Sequence, residues 1–333
     1  MMSLSIATIN LLNYLAPPDA FYDFLNIYDS AQWQAKTDWL SRQINDINAD
    51  IIGFQEVFSI EELRLQLLEL GYPYFACVDK PTISEEYVYS SPVVALASRF
   101  PIHNAQAVTA PTSSAEFSFS RQPLRASIHH PQLSWLDIYV VHFKSKRPII
   151  IDNANRLDSQ TTSKNERSHQ NIVDQWQQEW MGEWRSTMQR ALEFHQLYQA
   201  IVQRKLETQY PVMLLGDFNQ ELSQQEFAPL TSVQCFRQPE TEPLILPYRL
   251  FDSGAFWYQD SPQQRPTTHY HGANGSILDY ILYSCEFTPL AEFPIASLSE
   301  YKVWDRHLIN PHYADDAQAS DHAIVSVTLI PYL

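Results

Sequence analysis

Residues 212–219 read Val212-Met213-Leu214-Leu215-Gly216-Asp217-Phe218-Asn219. Four apolar residues run into a glycine, an acid and an amide, which is the pattern of a short buried strand ending in a turn. The polar residues either make the turn alone or are delivered by the strand to a site. The same pattern recurs elsewhere in the chain. Ile9 leads to Asn10, with Asn13 close by, although Asn13 reads as a turn residue. Ile51-Ile52-Gly53-Phe54 leads to Gln55-Glu56, and Ile138-Tyr139-Val140-Val141 leads to His142. Asp279 sits within Ile277–Leu282, and Ser320-Asp321-His322 precedes Ala323-Ile324-Val325. Strand ends of a layered sheet can gather in one place, where ligands bind. That would collect Asn10, Glu56, His142, Asp217, Asn219, Asp279, Asp321 and His322 at one rim.

Strand and helix signals surround these motifs. Leu4–Asn10 reads as a strand, and Trp33, Lys36, Leu40, Ile44 and Ile47 fall at helical spacing. Ile60–Leu70 reads as a helix closed by Gly71. Further strands are expected at Tyr74–Val78, Val93–Ser98, Leu124–His129, Trp135–His142, Pro211–Leu215, Ile277–Tyr283 and Ala323–Ile330. From about Asp152 to Gln170 the chain is polar, with no apolar period, and reads as a mobile insertion; a long helix follows, from about Ile172 to Leu206. Parts of one motif set lie on both sides of the insertion, so it is not a domain linker. Residues 1–333 read as a single domain. Strands mixed with helices, not strictly alternating, imply an α/β layered sandwich: two sheets face to face with helices outside.

Composition narrows the function. Glycine numbers only 7, so Gly-rich phosphate loops are nearly excluded, and neither a P-loop nor a dinucleotide fingerprint is present. The net charge of -16 provides no general attraction for a nucleic-acid backbone. Nucleic acid stays open as a substrate but is not favoured, and an acidic chain handling phosphate should concentrate its cations at the site. Cys77, Cys235 and Cys285 are odd in number and widely spaced, which suggests neither a disulfide framework nor a zinc site. There is no secretory signal and no apolar run of ~20 residues, so the expectation is a cytoplasmic protein without a membrane segment.

The polar inventory suits one kind of chemistry. Carboxylate and amide oxygens without thiolates suit Mg²⁺ or Mn²⁺, which can polarise a phosphoryl oxygen and neutralise charge in the transition state. Imidazole and carboxylate can activate water and assist the leaving oxygen near neutral pH. Taken in order, Asn10, Gln55-Glu56, His142, Gly216-Asp217-Phe218-Asn219, Leu278-Asp279-Tyr280 and Ser320-Asp321-His322 resemble the endonuclease/exonuclease/phosphatase superfamily, the group of DNase I. Each motif is weak alone. Together they span residues 4 to 329 in that family's order. The resemblance implies a four-layer α/β/β/α sandwich and hydrolysis of a phosphate ester, most readily a phosphodiester. It implies metal-site roles for Asn10, Glu56 and Asp321. Asp217 would direct the attacking water with help from Asn219. His322, paired with Asp279, would contact the phosphate, and His142 would stabilise or protonate the leaving oxygen. In DNase-like members a Glu steadies this last histidine; Glu85 and Glu86 both lie in a fitting stretch.

Other residues carry two readings each. Lys144 and Arg121 are expected to line a phosphate cleft, whereas Arg125, Lys146 and Arg147 read as solvated charge. His271, beside His269 and Tyr270, is either a substrate contact or a plain loop residue at the rim. Trp176, Trp180 and Trp184 repeat every fourth residue on one helix face. Such a stripe reads first as core packing and second as a lid meeting an apolar or base-containing substrate. Within the hydrolase reading, a nuclease is the alternative. A non-catalytic binding module on the same fold is the other, and it would show loss of Glu56, Asp217 or His322, all of which are present.

Overall fold

The computed structural model describes residues 3–111, 117–150 and 164–332. The main elements in chain order are β1 (Leu4–Tyr14), α1 (Ser30–Ile47), β2 (Ile51–Val57), α2 (Ile60–Glu69), β3 (Tyr74–Cys77), β4 (Val93–Ser98), β5 (Ile102–Ala107) and β6 (Leu124–His130). Then come β7 (Ser134–His142), α3 (Lys164–Thr208), β8 (Val212–Asp217), β9 (Leu250–Asp252), β10 (Asp279–Ser284), β11 (Ala296–Trp304) and β12 (Ile324–Pro331). Two six-stranded sheets carry the fold, ordered β11-β12-β1-β2-β4-β3 and β9-β10-β8-β7-β6-β5.

Strand alternation explains the layers. Successive strand residues face opposite sides of a sheet. Leu4, Ile6 and Ile51 of the first sheet meet Leu136, Ile138, Val140, Met213, Leu215, Ile281 and Tyr283 of the second, and these form the core between the sheets. The other faces are covered by helices. Trp39, Leu40 and Ile44 of α1 and Leu63 and Leu67 of α2 pack on Ile9, Ile52 and Phe54. Phe194, Leu197 and Ile201 of α3 pack on Tyr139, Val141 and Leu214. This is the expected four-layer α/β/β/α sandwich. Gly53 lets the sheets approach closely, because a Cβ there would lie 2.5 Å from Leu215 Cδ1.

Each sheet holds one parallel pair at its centre: β1 with β2, and β7 with β8. Parallel neighbours need a long crossover, and here α1 and α3 supply it. The second pair ends in register at His142 and Asp217. The polar insertion is therefore part of the crossover between these two residues.

The long helix begins at Lys164, not near Ile172 as the apolar period implied. Lys, Glu, Arg and Gln are good helix formers and extend a helix without an apolar stripe. Residues 151–163, the rest of the expected mobile insertion, lie outside the described residues. The core reading of the tryptophans is also corrected. Trp176, Trp180 and Trp184 are 63%, 53% and 56% exposed. Trp176 and Trp180 precede buried Arg190 and Phe194 by two heptads, so at ~100° per residue they share the helix face that docks on the sheet. The docked part ends near Gly182, whose Cβ position is 2.6 Å from Pro148 Cβ. Beyond it, the helix overhangs. Among the described residues no helix is long and apolar enough to cross a membrane.

Strands β5, β9 and β11 were not expected. β9 has three residues, while β5 and β11 are edge strands with mixed burial and register irregularities, so period two is lost.

One buried histidine ties stability to pH. His130 ends β6 fully buried, and its Nδ1 accepts the backbone N–H of Gln132 and of Leu133, each at 3.2 Å. A proton on Nδ1 would point at two donors, and burial lowers the ring's pKa. The unfolded histidine binds its proton near the ordinary value of about 6.5, the folded one only at lower pH. Its stabilising contribution is therefore complete above that pH and is lost as pH falls through the folded value. The urea midpoint of His130→Asn is expected to vary less than that of the wild type between pH 7.5 and 5. Equal slopes would show that His130 does not carry the effect.

Candidate active site

At one end of the inter-sheet core the inward positions turn polar. Leu4 and Ile6 are followed by Thr8 and Asn10, Val140 by His142, and Leu215 by Asp217; Ile281 of the antiparallel β10 is preceded by Asp279. All five polar side chains are buried. The two sheets thus bring together residues far apart in sequence. Asn10 Nδ2 donates to Asp217 Oδ2 at 3.2 Å across 207 positions.

Glu56 breaks the alternation. Phe54 packs outward against the helices and Gln55 inward, so a regular strand would aim Glu56 back at the helix layer. The register of β2 shifts after Phe54, and Glu56 has φ +60°, in the left-handed region. This irregularity swings the carboxylate toward the site, where Oε2 accepts Asn13 N–H at 3.0 Å and Oε1 lies 3.5 Å from Asn10 Nδ2. Leu12, Asn13, Tyr22 and Asn219 also have positive φ and line the same cleft. Strained backbone of this kind persists only where its surroundings hold it, and it gathers at sites. Gly216 has φ +145°, and a Cβ there would sit 2.0 Å from Val141 O, so only glycine fits immediately before Asp217.

Asp217 is the hub. Its Oδ1 accepts Asn219 N–H at 2.7 Å, its Oδ2 lies 3.4 Å from His142 Nε2 and 3.9 Å from His322 Nε2, and Asn219 Nδ2 reaches it at 3.2 Å. His322 Nδ1 is 2.9 Å from Asp279 Oδ2. Thr268 Oγ1 accepts the backbone N–H groups of Leu278 and Asp279, and His307 Nε2 lies 2.9 Å from His322 O.

The charges sort by burial and neighbours. Burial opposes an imidazolium at His322, but the carboxylates of Asp279 and Asp217 outweigh it and hold the pKa well above the ordinary value. Burial, then the cations Arg121, His322 and Lys144, hold His142 well below it. Burial and Asp279 raise Asp217, while His322 pulls the other way. The site thus pushes its two histidines apart, His322 toward the charged form and His142 toward the neutral one.

These residues line a cleft of about 540 Å³. Glu56, His142, Asp217, Asn219, Asp321 and His322 border it, as do Arg121 and His271. Asp279 lies behind His322. Asn10 turns its amide nitrogen to Glu56 and Asp217, and its Oδ1 accepts Leu12 N–H at 3.0 Å. Lys144 does not border the cleft, since its ammonium donates to Ser145 O and Arg147 O. Lys146 and Arg147, read from sequence as solvated, do border it. Sequence reasoning gave no role to Tyr22, which also borders the cleft, and left His269 open; His269 Nε2 lies 3.8 Å from Asp321 Oδ2 and its ring 4.8 Å from that of His322. The His-Tyr-His run was the available signal for His269. Neither Glu85 nor Glu86 partners His142: both are exposed, and His142 Nδ1 is buried with no hydrogen bond among the described residues.

Carboxylate oxygens suit Mg²⁺ or Mn²⁺, and neutral imidazoles suit softer divalent ions. His269, Asp321 and His322 have ligand atoms within 4.8 Å of one another, as do Asp217, Asp279 and His322, and Glu56 opens into the same cleft.

The model of the Endonuclease/Exonuclease/phosphatase family matches residues 7–322. No curated protein matches the chain. Among solved structures, the human nocturnin catalytic domain with bound sulfate is similar at TM-score 0.60 and 15% identity, covering 99% of this chain and 95% of that one. Humanized D. rerio TDP2 is similar at 0.56 and 14%, covering 98% and 99%. An endonuclease/exonuclease/phosphatase from Beutenbergia cavernae is similar at 0.52 and 15%, covering 99% and 72%. At these identities the likeness shows the fold alone.

Proposed function

Because the chain belongs to the endonuclease/exonuclease/phosphatase family, a family of phosphoester hydrolases, we propose that it is a metal-dependent phosphodiesterase using the cleft around Asp217. The observation that carries this reading is the His322–Asp279 pair, 2.9 Å apart, facing the buried Asp217 beside the carboxylates of Glu56 and Asp321. Asp217, held by Asn219, orients water and takes its proton as the water oxygen bonds to phosphorus. The N–H on His322 Nε2 bonds a non-bridging phosphoryl oxygen and favours the charge that builds there. His142, held neutral, serves the departing oxygen as a hydrogen-bond donor. Arg121, Lys146 and Arg147 face the remaining phosphate charge. Asn10 orients Glu56 and Asp217 through its amide nitrogen. A divalent ion, Mg²⁺ or Mn²⁺, held by Glu56 and Asp321, would supply neutralising charge on the phosphoryl oxygens.

The test is hydrolysis of bis-p-nitrophenyl phosphate, p-nitrophenyl phosphate, plasmid DNA and phospholipid by the purified protein. Activity on the diester is expected with Mg²⁺ or Mn²⁺ and is expected to vanish in EDTA. Full activity in a chelated sample would sink the metal reading, and hydrolysis of the monoester alone would sink the diesterase reading.

A further inference from the structure

The cleft mouth has an apolar shoulder on each side. On one side, Ala20–Phe21 pairs with Val88–Ser90, Tyr22 N–H bonds Tyr89 O at 2.8 Å, and the rings of Phe24 and Tyr87 lie 6.0 Å apart. This unit ends in Phe24, 52% exposed, and Leu25, 89% exposed, with Ile27 and Ile83 also exposed. Tyr22 joins it to the cleft, which it lines. On the other side, Arg147 places its guanidinium 6.0 Å from the Tyr22 ring centroid, and its carbonyl accepts Ser186 Oγ of α3 at 2.6 Å. From that anchor α3 overhangs with Trp176 and Trp180.

Exposed large apolar side chains gathered beside a cleft normally mark an interaction site. Its charge selects the partner. Residues 17–29 and 81–91 contain Asp19, Asp23, Asp29, Glu85 and Glu86 but no Lys or Arg. Five carboxylates repel nucleic-acid backbones and anionic lipid alike. A second copy seated here would close the cleft against its substrate. A bilayer of zwitterionic lipid meets both conditions: it accepts Leu, Phe and Ile below the headgroups and Trp and Tyr among them, and it presents phosphodiesters at the cleft.

We propose that the loop Phe21–Tyr28 and the Trp176–Trp180 overhang form a membrane-docking surface that sets the cleft on zwitterionic phospholipid, whose headgroup phosphodiester is the substrate. The substrate assignment rests on the phosphodiesterase reading; the docking does not. Hydrolysis adds water across one P–O bond of the headgroup, the hydroxyl to phosphorus and the proton to the departing oxygen.

The experiment is flotation of the protein with phosphatidylcholine vesicles in EDTA, where chemistry is silent. The wild type is expected to float. Phe24→Ser/Leu25→Ser and Trp176→Ser/Trp180→Ser should each bind on the order of tenfold more weakly or worse, as expected for losing buried apolar side chains. Both should hydrolyse bis-p-nitrophenyl phosphate in Mg²⁺ at the wild-type rate. Failure of the wild type to float would overturn the docking, as would floating only with added phosphatidylserine. Variants that float normally but lose oligonucleotide binding or self-association would overturn it in favour of those partners. Vesicle binding without hydrolysis of soluble diester would leave the docking standing and remove the phosphodiesterase. Docking and soluble-diester hydrolysis without headgroup release would overturn the substrate assignment alone.

Discussion

Asp217→Asn is expected to lower the turnover of a phosphodiester by about 10²–10⁴, the usual cost of removing a positioned base. The loss should be similar for good and poor leaving groups, because Asp217 acts on the incoming water. The variant should stay folded. Asparagine keeps the shape of a side chain that is almost fully buried, and its Oδ1 can still accept the Asn219 N–H. It removes a negative charge from a place where burial opposes one, but its Nδ2 replaces the oxygen that accepts from Asn10 Nδ2 and Asn219 Nδ2, so thermal stability in EDTA should fall modestly. Retention of more than a tenth of the activity would sink the assignment of the base. A large drop in melting temperature would mean that the lost rate reports damaged packing.

His142→Ala and His322→Ala should separate by substrate. In the proposed mechanism His322 faces the phosphoryl group in every ester, so its loss should cost on the order of 10²–10³ whatever leaves. His142 is proposed to serve the departing oxygen, and p-nitrophenolate needs little help. The His142 variant should therefore lose much more on an alkyl diester than on bis-p-nitrophenyl phosphate. Equal fractional losses on both substrates would show His142 to be a phosphate contact. Burial and the cations around it hold the His142 pKa low, so the proposed role is that of a neutral donor rather than of an imidazolium acid.

Much of this was legible in the sequence because strand alternation is a strict rule. The inward residues that build the inter-sheet core, Leu4, Ile6, Val140, Leu215 and Ile281, are in phase with Asn10, His142, Asp217 and Asp279, so locating one locates the other. Glu56 obeys the motif but not the alternation, and no periodicity shows the left-handed turn that aims it. Lys144, Lys146 and Arg147 differ only in where one loop directs them, which depends on carbonyls brought by the fold. The tryptophans kept the helix phase of buried residues. Sequence phase shows which face they share, but not that the sheet beneath ends near Gly182. Edge strands such as β11 lost their period to register shifts at the sheet margin.

The register pair His142–Asp217 and the bond from Asn10 to Asp217 have a kinetic meaning. The polar groups of the site lie near strand ends or in the turns beside them, and both sheets contribute. No local unit, hairpin or helix contains a working fragment. During refolding, secondary structure should return first and hydrolysis last, when the long-range pairings close and the sheets dock. The proposed activity would then be a clock for the slowest step of assembly, its onset dating the docking of the sheets.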